Sequence, residues 1–113
     1  MNSSFAFSRV AFQDLTALKF EAEMHGTSNQ NLLVLNFIGK YRDGSAGAPD
    51  ANFIKAMTAA CFEMWSCQGL IFDFTKLEYE WGNDLADAIT FPMERKSKKF
   101  PTCLVLSKSC ENA

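Results

Sequence analysis

The sequence has little of what most catalytic and metal sites are built from. Its 113 residues include a single histidine, His25, and no two of its four cysteines are spaced as C-x-x-C. Nucleophilic catalysis needs a base beside the nucleophile, and zinc sites usually take their ligands in close pairs. We therefore expect a protein that is not an enzyme, with no metal and no cofactor. We expect His25 to be an exposed strand residue.

Long apolar runs are missing as well. No run approaches the roughly 20 residues that cross a bilayer. The opening "MNSSFAFSRVAF" lacks both the cationic start and the continuous apolar core of an export signal. The formal net charge of -2 gives no general attraction to nucleic acid or to a lipid surface. We expect a cytoplasmic protein that binds neither nucleic acid nor membrane.

What is present fits one globular domain that spans residues 1–113. Hydrophobic residues make up 48% of the chain, which is enough to form a single core at this length. Free cysteine behaves as a small hydrophobic residue, and cytosolic thiols stay reduced. We therefore expect buried, reduced thiols at Cys61, Cys67, Cys103 and Cys110.

The first part of the chain is typical of a hairpin. Residues 1–16 alternate weakly and predict an edge strand or an arm packed on the body. From Ala17 to His25, apolar and polar residues alternate, which predicts a strand with one wet face. After the turn "GTSNQ", the segment "NLLVLNFIGKY" has apolar residues on both faces and predicts a central strand.

The second part alternates helices with strands. Apolar residues recur at helical spacing from Ala51 to Trp65 and again from about Asn83 to Phe91. The strands "GLIFDF" and "PTCLVLS" each follow one of these helices, so we expect both to lie parallel to their neighbours. The fold class is α/β: a mixed four- to five-stranded sheet with an N-terminal hairpin, two parallel crossovers and two main helices.

Helix caps and the two polar segments have plain explanations. Asp50 is the expected N-cap of the first helix, and Asn83 or Asp84 that of the second. The glycine-rich loop from Gly44 to Gly47 could cradle an anion, but it has no phosphate-binding motif and is better explained as a connector. The basic run that follows the second helix is expected to be a solvated helix end. That run consists of Arg95, Lys96, Lys98 and Lys99.

The order of elements resembles the STAS domain, the fold of anti-sigma-factor antagonists. The resemblance is carried by "NLLVLNFIGKY", the helix after it, "GLIFDFTKLEYEWGNDLADAI" and "KKFPTCLVLS". It implies a STAS-like, non-enzymatic module that binds a regulatory protein partner. In that family, the turn before the second helix often presents a phosphorylatable serine or threonine. The matching turn here, Glu80 to Asp84, contains neither, so no phosphorylation switch is expected there.

The same turn is the predicted protein-binding site. Tryptophan and tyrosine are favoured interface anchors, and the acids around them favour a partner with a basic surface. Acids at a helix start also have a structural explanation, because they stabilise the helix dipole and cap the helix. The predicted protein-binding residues are Tyr79, Glu80, Trp81, Asn83, Asp84 and Asp87.

The chain also predicts a homodimer. It stops six residues after Ser107, where a STAS domain would continue into a closing helix. Strands with apolar residues on both sides need cover on both sheet faces. Either the arm of residues 1–16 or a second copy of the chain is expected to supply that cover.

Two alternative functions stay open. One is a bacterial immunity or accessory protein that neutralises a basic partner through the acidic surface. The other is a small-ligand or enzyme fragment that resembles one turn of the crotonase or Clp protease fold. That alternative requires a pocket of backbone N–H groups near Gly44, Gly47 or Gly82, and the sequence supplies no nucleophile and base to go with it.

Overall fold

The computed structural model describes residues 8–26, 30–79, 84–97 and 99–106. The strands are β1 (Lys19–Gly26), β2 (Asn31–Lys40), β3 (Gly69–Phe74), β4 (Leu77–Glu78) and β5 (Thr102–Leu106), and the helices are α1 (Ala48–Met64) and α2 (Asp84–Arg95). Short 3-10 helices lie at Phe12–Asp14 and Gly44–Gly47. The predicted α/β class, with a mixed sheet and two main helices, is confirmed.

The sheet has the strand order β1-β2-β3-β5, and β4 pairs with the end of β2. β1 and β2 form the antiparallel hairpin, while the β2–β3 and β3–β5 pairs are parallel. The expected hairpin and parallel crossovers are therefore present. The two-residue strand β4, in which Leu77 lies opposite Gly39, is an addition that the sequence pattern did not predict.

Both helices lie on one face of this sheet. The parallel strands β2, β3 and β5 follow one another in a single direction across the sheet, and right-handed crossovers then place their helices on the same side. α1 and α2 accordingly pack against each other. The core lies between these helices and the inward side chains of the strands.

The core is built from alternate strand residues. Leu33, Leu35 and Phe37 are essentially buried, whereas their neighbours in β2 are partly or largely exposed. The Phe37 ring contacts those of Phe53 on α1 and Phe72 on β3, with centroids 6.2 and 6.4 Å apart. Burial of such side chains, at about 1.5–3 kcal/mol each, is the main stabilising contribution to the fold.

Both helices differ from their predicted bounds. α1 begins at Ala48 with Gly47 as its N-cap, so the prediction that Asp50 caps the helix is wrong. Pro49 lies in the first turn, where its missing N–H costs no hydrogen bond. α2 continues through Pro92 to Arg95, because the proline ring is buried in the core and its packing compensates for one lost helical bond.

The described part of the predicted arm, residues 8–16, contains no strand. Its 3-10 helix places Phe12 edge-on against Phe53, with centroids 5.8 Å apart. Of the two predicted alternatives for residues 1–16, the described part is an arm. None of the described helices is long and apolar enough to cross a membrane.

Candidate interaction surface

One face of the sheet has no helix against it in the described part of the chain, and we call this the open face. Side chains alternate along each strand, so every second residue of β2, β3 and β5 points away from the helices. The open face consists of Leu32, Val34, Asn36, Ile38, Lys40, Ile71, Asp73, Cys103 and Val105, and of the β1 residues in register with them, Lys19, Glu21, Glu23 and His25.

The centre of the open face is apolar. Ile71 lies in register between Val34 on β2 and Cys103 on β5. Leu32 and Val105 are 40% and 41% exposed, although both belong to strands whose other side is core. A contiguous apolar patch on a sheet is typical of an interaction site, whereas single exposed apolar residues need no explanation.

The apolar centre is concave at one end. A cavity of about 310 Å³ lies where β3 and β5 begin, and Leu32, Ile71 and Cys103 belong to its lining. Gly69 stands in register with Leu32, and a Cβ atom on Gly69 would come within 2.8 Å of the Leu32 side chain. The missing side chain at Gly69 therefore leaves room for Leu32 beside the cavity.

The edge of the open face is polar and carries three acids, Glu21, Glu23 and Asp73, and one lysine, Lys19. Glu21, Asn36 and Asp73 lie in register across three strands. Asp73 accepts hydrogen bonds from the backbone N–H and the hydroxyl of Thr75, at 3.0 and 2.6 Å. Glu23, one further alternation along β1, is 3.0 Å from His25. An apolar centre with a polar edge is the usual arrangement of a protein interface.

A buried carboxylate holds the arm to the body on the other side of the molecule. The side chain of Asp50 is fully buried and accepts hydrogen bonds from the backbone N–H and Nε of Arg42, at 2.9 and 3.0 Å. The Thr16 hydroxyl donates to its other oxygen at 2.5 Å, and Arg42 Nη2 donates to the Leu15 carbonyl oxygen at 2.5 Å. We call these four residues the clasp.

The clasp holds Asp50 as a hydrogen-bonded carboxylate, which stabilises the fold. Burial by itself raises the pKa of the Asp50 carboxyl, but the hydrogen bonds from Arg42 and Thr16 outweigh burial and hold the pKa below its ordinary value. Asp50 is therefore ionised at neutral pH, and both of its oxygens accept hydrogen bonds from within the protein. A carboxylate in this state has no proton to give to a substrate.

The glycine-rich loop is a short 3-10 connector. Gly44–Gly47 forms a 3-10 helix that leads directly into α1. A Cβ atom on Gly47 would lie 2.4 Å from the Arg42 carbonyl oxygen, so this glycine permits close backbone packing. Asp43 and Asp50 place two carboxylates at the same helix start, which opposes anion binding.

The structure describes only part of the predicted protein-binding turn. Tyr79 is buried, with its ring edge-on to Tyr41 at 5.1 Å, so its ring packs inside the protein. Asp84 is the first residue of α2, and Asp87 is exposed one turn later. Glu80, Trp81 and Asn83 lie outside the described residues, as does Gly82 of the crotonase-like alternative.

The three cysteines in the described part of the chain are free thiols with two different environments. Cys61 and Cys67 are buried, and burial raises the pKa of both thiols, which leaves them protonated and unreactive at neutral pH. Cys103 is exposed, so the prediction that it is buried is wrong. It alternates with Leu104 along β5 and therefore points to the open face. Cys110 lies outside the described residues.

Two residues of the basic run at the end of α2, Arg95 and Lys96, contact other side chains. Arg95 pairs with Glu63 at 2.6 Å, and the Lys96 ammonium lies 4.8 Å from the centroid of the Phe62 ring. His25 is exposed on β1, as expected. Among the described residues, no three histidine, cysteine or acidic side chains come together as a metal site.

Comparison of the chain with models of protein families, with curated proteins and with solved structures finds no match in any of the three.

The sequence predicted that a second sheet face needs cover, but it did not predict which residues form that face. No local signal marks that side of the last strand, because Cys103, Leu104 and Val105 are all apolar.

Proposed function

We propose that this protein is a non-enzymatic interaction module that binds a protein partner through the open face. The observation that carries the proposal is the apolar centre of the open face, where exposed Leu32 and Val105 flank half-buried Ile71 on strands whose opposite side packs against the helices. A protein side chain is the natural occupant of the cavity beside Leu32, because interface energy concentrates in such central pockets. The STAS-like, regulatory reading of the sequence agrees with this function.

The first partner to test is a second copy of the chain, since the sequence predicts a homodimer. Light scattering behind a sizing column, over a concentration series, measures the mass of the wild type and of Val34→Glu. Val34 lies at the centre of the open face, so an added carboxylate there is expected to abolish the dimer. Ala60→Glu, on an exposed position of α1, is the matched control and should keep the wild-type mass.

The reactivity of the Cys103 thiol tests the same surface independently. Its exposed thiol is expected to react with a maleimide at low protein concentration and to be protected as the dimer forms. Mass spectrometry of the Cys103 peptide separates this signal from the other thiols. A Trp81→Ala variant in the same series distinguishes the open face from the predicted turn. Loss of the dimer in Trp81→Ala but not in Val34→Glu would contradict the proposal.

The acidic edge also favours the alternative of an immunity or accessory protein. Glu21, Glu23 and Asp73 surround the apolar centre, and a basic partner would complement them. That function predicts a tight complex with one basic protein and an affinity that falls as salt is added. It also predicts that Val34→Glu weakens the complex while Glu94→Gln, an exposed acid on α2 outside both predicted binding surfaces, leaves it unchanged.

A further inference from the structure

A second apolar feature lies on the helix side of the sheet, between the arm and α1. Two adjoining cavities of about 690 and 290 Å³ flank the 3-10 helix of the arm, and Phe12, Thr16 and Phe53 line both of them. The larger cavity extends to Phe20 on β1 and to Met57 on α1. Its volume falls within the range of about 300–1,000 Å³ that is usual for small-molecule sites.

Three elements each contribute an aromatic ring to the larger cavity. Phe12 of the arm and Phe20 of β1 both meet Phe53 of α1 edge-on, with ring centroids 5.8 and 6.1 Å from that of Phe53. Phe12 and Phe20 make no ring contact with each other, and both line the cavity, which therefore lies between their rings. Aromatic rings pair favourably at centroid distances of about 4.5–7 Å, so a further ring in this space has partners on two sides.

The helix adds a sulfur atom to the same cavity. Met57 follows Phe53 by four residues and therefore lies beside it on the surface of α1. It is half-buried, so its side chain is accessible from the cavity. A thioether makes favourable contacts with the edge of an aromatic ring and adapts its shape to an occupant.

No charged side chain among the described lining residues points into either cavity. Lys19 is the one charged residue in that lining, but it stands in register with Ile38 and its side chain lies on the open face. The Thr16 hydroxyl is already used, because it donates to Asp50 and accepts the Leu18 N–H at 3.2 Å. A charged ligand would lose hydration here without gaining an opposite charge, so the lining favours a neutral one.

We propose that the larger cavity binds a neutral aromatic compound, whose ring packs between Phe12 and Phe20 and against the Met57 thioether. The clasp holds the arm against α1, so the walls of the cavity are in place before a ligand arrives. The cavity lies on the opposite side of the sheet from the open face, so its occupancy does not depend on the proposed interaction function.

Benzyl alcohol is the probe, and cyclohexylmethanol, which has a similar size but no aromatic ring, is the comparison. NMR of the protein labelled with ¹³C at its methionine methyl groups follows both titrations. The Met57 resonance is expected to shift and saturate, and benzyl alcohol should reach half-saturation at a concentration about two- to tenfold lower, the size of an aromatic pair. Met64, which is exposed at the far end of α1, is the internal control and should not move.

Charged analogues of the probe test the neutrality of the site. Benzoate and benzylammonium carry the same ring and are expected to bind about tenfold more weakly than benzyl alcohol, because neither finds an opposite charge in the cavity. Lys19→Gln should bind all of these compounds as the wild type does, since the Lys19 side chain lies on the open face. Benzoate binding as tight as that of benzyl alcohol, or lost in Lys19→Gln, would contradict the proposal.

Two substitutions test the location. Phe12→Leu keeps an apolar side chain but removes one ring, and Phe12 is 60% exposed, so the core stays intact. It is expected to reduce the preference for benzyl alcohol over cyclohexylmethanol, whereas Val10→Ala, outside both cavities, should retain it. Met57→Trp fills the cavity and should lose benzyl alcohol binding, measured by saturation-transfer NMR of the probe, while circular dichroism shows a folded chain.

Four results would overturn the proposal. An unchanged preference in folded Phe12→Leu, or binding retained in folded Met57→Trp, would place the ligand elsewhere. A Met57 resonance that does not saturate with benzyl alcohol would remove the site. A Met57 shift that follows protein concentration without any probe would show that a second copy of the chain occupies the cavity.

Discussion

The side chain of Asp50 connects separate parts of the fold through hydrogen bonds. Its two oxygens receive hydrogen bonds from Thr16, which precedes β1, and from Arg42, which follows β2. A carboxylate buried to this extent would be costly alone, and these bonds offset that cost. The residue joins the arm and the end of β2 to the first turn of α1.

Replacement of Asp50 by asparagine is expected to lower the free energy of unfolding by about 2–3 kcal/mol, the size of the charged hydrogen bonds that it removes. The asparagine amide would also place N–H groups against the donors of Arg42. Urea denaturation measures the change. Asp87→Asn, an exposed acid on α2, is the matched control and should stay within about 0.5 kcal/mol of the wild type.

The same carboxyl group gives stability a defined dependence on pH. The pKa of Asp50 is lower in the folded chain than in the unfolded one, so the unfolded state binds the proton more readily. Its contribution is complete above an unfolded pKa of about 3.9 and is lost as pH falls through the lower folded value. Urea denaturation at pH 7, 4 and 3 should show the gap between wild type and Asp50→Asn narrowing as pH falls. A constant gap would contradict the ion-pair account.

At the scale of elements, the arm and the strands differ in how they are held. β2 has a paired strand on each side and packed residues on one face. The described arm rests on the clasp and on the contact between Phe12 and Phe53. Because few apolar contacts hold the arm, it is the element expected to open first.

Phe12→Ala is expected to lower the free energy of unfolding by about 1 kcal/mol, the usual size of an aromatic pair. It should also speed proteolysis near the arm while the far-ultraviolet spectrum stays unchanged. Val10→Ala is the control, since Val10 is 86% exposed and should have no effect on either measurement. Equal effects of the two substitutions would show that the Phe12 contact does not anchor the arm.

The sequence predicted where the strands and helices lie better than it predicted which of their side chains are buried, exposed or in contact. "GLIFDF" was readable as a buried strand because both of its sides are apolar, and β3 occupies those residues. The role of Asp50 was not readable, since Thr16 lies 34 residues away and only the folded chain brings them together. The exposure of Cys103 depends on which sheet face the helices cover, which follows from strand order and not from local pattern.

At the scale of the whole molecule, the response to salt distinguishes the two kinds of partner. The open face carries Glu21, Glu23 and Asp73 against Lys19 and Lys40, so a homodimer through it would bring together two surfaces of the same net negative charge. Screening of their repulsion by salt should strengthen the dimer. A complex with a basic protein should weaken instead. Light scattering and titration calorimetry between 50 and 500 mM salt, roughly a threefold change in Debye length, would measure both trends.

The alternating charges of β1 have a consequence for how far assembly can proceed. Lys19, Glu21, Glu23 and His25 occupy every second position of an outer strand that pairs only with β2 among the described residues. Charged residues along a sheet edge discourage the addition of another strand, which is the step that builds fibres. Contact between two open faces, by contrast, closes on itself around a two-fold axis. Concentrated solutions should therefore contain particles of one finite size and remain free of filaments.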